Sequence, residues 1–387
     1  MHAKLTAEIQ PDASGGSPLL GTIRGLFKPV GRPFLMVLAF LGMGLVPTIL
    51  TYAQTTTPAT TQAAKKDFGA WVEVTRPKAV GWPYGVVAVD RAKGTLYYST
   101  TFKGLWRTTD SGKTWERLGN DKFFPDKNIP GSVVIDGSRI VVFNSQENHP
   151  PKIATVTPDA NAYSLDEGKT WEAMQYTQAG FTGGCVEAGK GQAVLAGDNA
   201  AGALTFSPDL GKTWTLLGKE TSDNKGYGLF SAQAWVRATK TGGIKSTADA
   251  GKTWVDASTV GVNGGNLLIV QEMGVWLSAK GLLVTKDQGK TWSIAGTPPP
   301  AALIAGLPAV LGKDENHFFA LTVDGLAETR DLGKTWKIIT PLPLAAEPLA
   351  KYVRNAFVVA FDPVHDLFYI IPHFHGPHSL LAYHWQK

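Results

Sequence analysis

The sequence predicts an all-β chain folded as a single β-propeller, with seven blades of four antiparallel strands and closure between its N- and C-terminal strands. Three observations predict it. An eight-residue pattern recurs six times, three strand-like segments come after its last copy, and composition is rich in Gly (43) and Trp (12) but only 18% charged over 387 residues. Short strands joined by tight turns, with aromatics filling the layers between them, have this composition.

The pattern S/T-x-D-x-G-K-T-W opens at Thr108, Ser164, Ser207, Thr247, Thr285 and Thr329. Its aspartates are Asp110, Asp166, Asp209, Asp249, Asp287 and Asp331, at intervals of 56, 43, 40, 38 and 44 residues that suit a four-stranded blade. The spacing serves a turn. An Asp at a turn start accepts hydrogen bonds from backbone N–H groups further on, the Ser/Thr hydroxyl adds another, and Gly supplies a positive φ. Thr and Trp then begin the next strand, where the indole fills space between blades. Those indoles belong to Trp115, Trp171, Trp214, Trp254, Trp292 and Trp336.

The tail sets the blade count. Phe357–Phe361, Leu367–Ile371 and Leu380–Trp385 read as three more strands without the pattern, one short of a blade. Ala70-Trp71-Val72-Glu73-Val74 has the look of the strand after each repeat and can supply the fourth. Such closure removes both open sheet edges. Six blades with an unrelated tail is the alternative.

The repeat resembles the Asp-box, or BNR, repeat of sialidases, sortilin-type receptors, xyloglucanases and photosystem II assembly factors, and spans about residues 85–340. The resemblance implies that each box joins the third and fourth strands of a blade, opposite the usual ligand face. It implies a structural role for the six Asp residues, rather than acid, base or calcium ligation. The family's sialidases carry an F/Y-R-I-P signature. Thr75-Arg76-Pro77 comes nearest and lacks the aromatic and the Ile, so classical sialidase activity is disfavoured.

Residues 1–53 read as a signal peptide or membrane anchor. Phe34 to Ala53 carries no charge, comes after Lys4, Arg24, Lys28 and Arg32, and ends in Thr51-Tyr52-Ala53, a small-residue site for cleavage before Gln54. Either reading exports the remainder of the chain to the periplasm or the medium: a polar linker over 54–68 and the propeller over 69–387. Any membrane contact is through this segment. Removing it takes the four bases and Glu8 and Asp12, lowering the formal charge from +5 to +3. No basic cluster with interleaved aromatics points to nucleic acid. The lone Cys185 excludes an intramolecular disulfide and reads as a packed thiol.

The longest interval places extra residues in the loops 119–131 and 144–153, beside the lead-in to blade 1 and the loop 372–378 of blade 7. Long loops on a rigid scaffold are where binding and catalysis concentrate. Candidate proton-transfer residues there are Tyr84, Glu147, His149, His373 and His375; Arg76, Lys78, Trp82 and His378 are candidate substrate contacts. Arg and Lys bind carboxylates, aromatic rings stack on sugar faces, and Glu or His moves a proton. No cofactor is expected, with a divalent metal on His373, His375 and His378 as the minor alternative. The six box lysines, Lys113, Lys169, Lys212, Lys252, Lys290 and Lys334, read as soluble occupants of exposed turns, or else as a basic ring. The sequence's first expectation is a glycan-directed propeller, a polysaccharide-active hydrolase or lyase, and the alternative is a non-catalytic module that binds or assembles a protein client. Whether the chain is an enzyme stays open at this point.

Overall fold

The computed structural model describes residues 69–77, 85–100, 105–119, 130–144, 161–175, 181–187, 191–198, 203–217, 224–239, 242–343, 359–371 and 380–385. The chain divides into two units, Met1–Ala64 and Lys65–Lys387, and every described residue belongs to the second. The expected export segment and linker lie outside the described residues. No helix among those described is long and apolar enough to cross a membrane.

Seven four-stranded antiparallel sheets make up the seven blades. β1 (Trp71–Val74) is the outer strand of the last of them. Blade 1 holds β2 (Gly85–Asp90), β3 (Thr95–Thr100), β4 (Leu105–Thr108) and β5 (Glu116–Leu118). Blade 2 holds β6 (Pro130–Asp136), β7 (Arg139–Asn144), β8 (Ala162–Ser164) and β9 (Glu172–Ala173). Blade 3 holds β10 (Phe181–Val186), β11 (Val194–Asp198), β12 (Ala203–Ser207) and β13 (Thr215–Leu216). Blade 4 holds β14 (Asn224–Leu229), β15 (Trp235–Thr239), β16 (Ile244–Thr247) and β17 (Val255–Ser258). Blade 5 holds β18 (Leu268–Val270), β19 (Met273–Ser278), β20 (Gly281–Thr285) and β21 (Ser293–Ala295). Blade 6 holds β22 (Val310–Leu311), β23 (Phe318–Thr322), β24 (Gly325–Thr329) and β25 (Lys337–Thr340). Blade 7 takes β26 (Val359–Asp362), β27 (Leu367–Ile370) and β28 (Leu380–His384), and β1 completes it with Trp71 opposite Tyr383 and Val74 opposite Leu380. The closure read from the two chain ends is therefore present, and the count is seven.

Second strands such as β23 (FFALT) and β27 (LFYI) are apolar without alternation and buried throughout, because a neighbouring blade covers each face. Outer strands such as β21 and β17 are largely exposed. The apolar core is accordingly divided into seven clusters, one in each gap between adjacent blades. Box indoles reach these gaps: Trp115 packs between blades 7 and 1, Trp171 between 1 and 2, and Trp336 between 5 and 6. Cys185 is buried between blades 3 and 4, and burial pushes its thiol up to about 12, which leaves it protonated at neutral pH.

All six repeats form the same turn between third and fourth strands. The leading hydroxyl donates to Asp Oδ1 at 2.7–2.8 Å and accepts the Gly N–H at 2.7–3.0 Å. The box Thr donates its N–H to Oδ1 at 2.8–3.0 Å and its hydroxyl to Oδ2 at 2.6–2.8 Å. One feature differs from the sequence reading, which assigned a positive φ to Gly alone. The residue before it is left-handed too: Ser111, Glu167, Leu210, Ala250, Gln288 and Leu332 have φ of 55–62°. A side chain resists that conformation by about 1–2 kcal/mol, and the saturated Asp holds it there. Exposed Gln288 can be relieved without touching the core. Gln288→Gly is expected to raise stability by about 0.5–1 kcal/mol in urea unfolding, Gly's own entropy offsetting part of the relief; an unchanged or lower midpoint would show that the turn carries no such strain.

The box glycine has a second duty, visible at Gly112. Its φ is 92°, and a Cβ there would collide with the Val74 side chain at the end of β1, so the turn of blade 1 seats directly on the closing strand.

Candidate functional site

Because each blade is a meander, turns between strands one and two share an end of the molecule with the boxes, and the remaining connections share the other. By chain position the nine candidate residues from the sequence are expected on connections of that second kind, around blades 7, 1 and 2. Of the nine, Arg76 is described; Lys78, Trp82, Tyr84, Glu147, His149, His373, His375 and His378 lie outside the described residues. Arg76 comes just after β1, is half-buried, and hydrogen-bonds the Tyr98 phenol of β3 in blade 1. Burial pushes Tyr98 above the usual tyrosine range, against the pull of the Arg76 charge. Beside them Trp115 donates its indole N–H to Thr75 O at 2.6 Å. Arg76 thus belongs first to the seam between the closing strand and blade 1.

At the same end, blades 3 to 6 are stitched by two asparagines that the sequence reading did not single out. Asn266, ahead of β18, donates Nδ2 to Gly184 O of blade 3 at 2.7 Å and accepts the Tyr227 N–H of blade 4 at 3.3 Å. Asn263 donates Nδ2 to Ile304 O and Leu307 O, each at 2.8 Å. These amides tie the backbone of one blade to that of another.

The box end carries the densest charge chemistry, where blades 6, 7 and 1 meet. Glu328 of β24 is 1% exposed. It accepts the Trp385 indole N–H and Arg330 Nε, each at 2.8 Å, and lies 3.1 Å from both Lys337 Nζ and His317 Nε2. His317 Nδ1 accepts the Lys313 N–H at 2.9 Å, so the ring proton sits on Nε2, on the side of the ring nearer the carboxylate. The imidazole is packed between Phe319 and Trp385, at ring separations of 4.7 and 5.0 Å. Burial pushes the Glu328 carboxyl up, yet the donors from His317, Arg330, Trp385 and Lys337 prevail and hold it at about 2.

One blade further on, buried Asp362 accepts the N–H groups of Val364 and His365 at 2.8 and 3.1 Å, with His365 Nδ1 at 2.7 Å. Arg91 of blade 1 reaches over blade 7 to Leu311 O and Gly312 O of blade 6, and Lys313 returns to Pro363 O and Asp366. Each imidazole–carboxylate pair therefore belongs to one blade, and Trp385, Arg91 and Lys313 make the clasps between blades around them. Glu328 has no proton to give at neutral pH and no open face to a substrate. Its signal in the sequence was a lone acid inside the apolar strand GLAET, since a buried charge demands partners.

The box carboxylates are equally committed. Hydrogen bonds from the box threonine hold Asp110, Asp166, Asp249 and Asp331 at about 2; at Asp209 and Asp287 burial opposes most strongly, and the same donors still leave the pKa lowered. A folded-state pKa depressed below its unfolded value gives stability that is present above the unfolded value and lost as pH falls through the folded one. Thermal melts are expected to be level from pH 7 to about 5 and to fall steadily between about 4.5 and 2. A decline that begins above pH 6 would point to other groups. Among the described residues no group of three or more His, Cys, Asp or Glu side chains is placed to hold a metal ion.

No family model and no curated protein matches the chain. Solved structures do. The chain is similar to YCF48 bound to D1 peptide, with 16% identity over 83% of this chain and 98% of that one and a TM-score of 0.50. It is also similar to the β-propeller domain of Cps50 (Swd1) from Myceliophteria thermophila, with 10% identity, 78% and 96% coverage and a TM-score of 0.50. A GH74 enzyme of Niastella koreensis aligns at 14% identity and a TM-score of 0.44, and the chain spans about half its length, 48%. At these identities the likeness establishes the β-propeller fold.

Proposed function

We propose that the chain is an exported propeller of the Asp-box type that binds a segment of a protein partner and acts as a scaffold without chemistry of its own. The observation that carries this reading is the commitment of the repeated acids: all six box carboxylates are saturated by their own turns. The six identical turns support the Asp-box assignment, and the uncharged run from Phe34 to Ala53 supports export. The whole-length likeness to a propeller seen with a bound peptide is consistent with a protein client. The polysaccharide reading draws on Tyr84, Glu147 and the histidines of 373–378, outside the described residues.

The test runs both readings side by side. Protein purified as cells export it is titrated against an array of extended peptides and incubated with neutral and acidic polysaccharides, assaying new reducing ends and unsaturated uronates. Saturable peptide binding without product is the expected result. Product that scales with protein concentration would replace the scaffold by a hydrolase or lyase.

A further inference from the structure

The outer strands β1, β5, β9, β13, β17, β21 and β25 present seven sheet edges, and such edges can accept another strand. Length separates them. Among the described residues only β1, β17 and β25 reach four residues, enough for a short run of inter-strand hydrogen bonds. Charge separates those three: β1 carries Glu73, β17 carries Asp256, and β25, with the sequence KIIT, carries Lys337 and no acid. Beside it stand exposed Lys334 and Arg330. Arg330 and Lys337 share the single buried carboxylate of Glu328 and Asp331 is taken up by its own turn, so among the described residues three cations at this edge stand against two carboxylates that are already engaged.

Its other chemistry agrees. Ile338 is 37% exposed, and Ile338, Ile339 and Thr340 are consecutive β-branched residues that favour extended backbone. The far end is stopped, because Trp71 donates its indole N–H to Pro341 O at 2.8 Å. A second copy of this chain would bring the same lysines to the pairing and no acid on its own strand, so charge gives self-association no help. An acidic strand meets the opposite situation.

Resting on the scaffold reading, we propose that the edge of β25 takes an extended acidic segment of the partner as a fifth strand of blade 6, with Asp or Glu alternating with β-branched residues. Backbone hydrogen bonds supply the pairing, Lys334, Lys337 and Arg330 select the charge, and Ile338 meets the apolar positions.

The probe is a fluorescent alternating Glu-Val decapeptide, titrated by anisotropy against the full-length protein. Saturable binding is expected, weakening by about tenfold in the double variant Lys334→Glu with Ile338→Glu, and also as salt rises to about 0.2 M. Both substitutions are at exposed positions, and a melting curve identical to the parent's checks that the fold is kept. Asp256→Lys on β17 serves as the control and is expected to leave affinity unchanged. A decapeptide N-methylated at alternate backbone nitrogens, and a Lys-Val version, are each expected to bind at least about tenfold more weakly. Equal binding of the N-methylated peptide, equal binding by the double variant, or no binding of the probe overturns the proposal. If peptides from the array bind the double variant as they bind the parent, the scaffold reading stands and this edge is not its site.

Discussion

Glu328→Ala is expected to destabilise the protein by about 3–5 kcal/mol, seen as a fall in melting temperature of roughly 5–15 °C. The carboxylate accepts the Trp385 indole N–H and Arg330 Nε, with Lys337 Nζ and His317 Nε2 each 3.1 Å away, and only Arg330 and Lys337 can turn to water when it is gone. The indole and imidazole donors stay buried beside Phe319 and Phe361, where an unpaired polar group is costly. Glu328→Gln separates charge from shape. It keeps an acceptor for one donor but sets an amide against two cations, so an intermediate loss is expected. A loss under about 1 kcal/mol for the alanine variant would mean that the cage is incidental to the blade 6–7 contact.

Deleting the closing strand should have a still larger effect. A chain that begins at Thr75 lacks Trp71, which is 4% exposed, meets Phe368 edge-on at 6.2 Å, and crosses to Pro341 O. Truncating a buried Trp alone costs about 3–5 kcal/mol, and the lost strand exposes the β28 edge besides. The sum approaches the whole stability of an ordinary domain. The truncated chain is expected to aggregate and to show no cooperative melt. Adding a synthetic peptide of residues 69–77 should restore part of the transition. A truncated chain that stays monomeric and melts within a few degrees of the parent would show that the seven blades hold together without their closing strand.

The fold was legible because the turn is a local code. Thr108, Asp110, Gly112 and Thr114 satisfy one another within seven residues, so the same letters give the same shape wherever they recur. Trp71 was legible for the same reason, as a copy of the residue that ends each box. The cage around Glu328 was not, since His317, Arg330 and Lys337 gather only when blade 6 forms, and Trp385, 57 positions away, arrives only once blade 7 has packed on it. Asn263 and Asn266 escaped likewise: nothing in their local sequence announces carbonyls in other blades. Among the candidate site residues Arg76 alone can be placed, and its bond to Tyr98 shows how a residue chosen for charge can be held by the scaffold. Loops lack a repeat to read, and their residue types do not determine their distances.

The indoles say something further about the chain as a ring. Trp336 donates to Thr297 O and Trp115 to Thr75 O, each reaching the exit of the preceding blade, and Trp71 does the same to Pro341 O. Blade 7 therefore keeps the far half of a box, with the peptide backbone interrupted where the turn would be. The interruption is a matter of bookkeeping in the gene rather than of architecture, and it could be moved. A circular permutant with its ends joined by one more copy of the repeated turn, and opened instead at the exposed turn around Gln288, keeps the contacts that Trp71, Trp115 and Trp336 make between blades. Where the hoop is cut and where it is weakest are then separate properties.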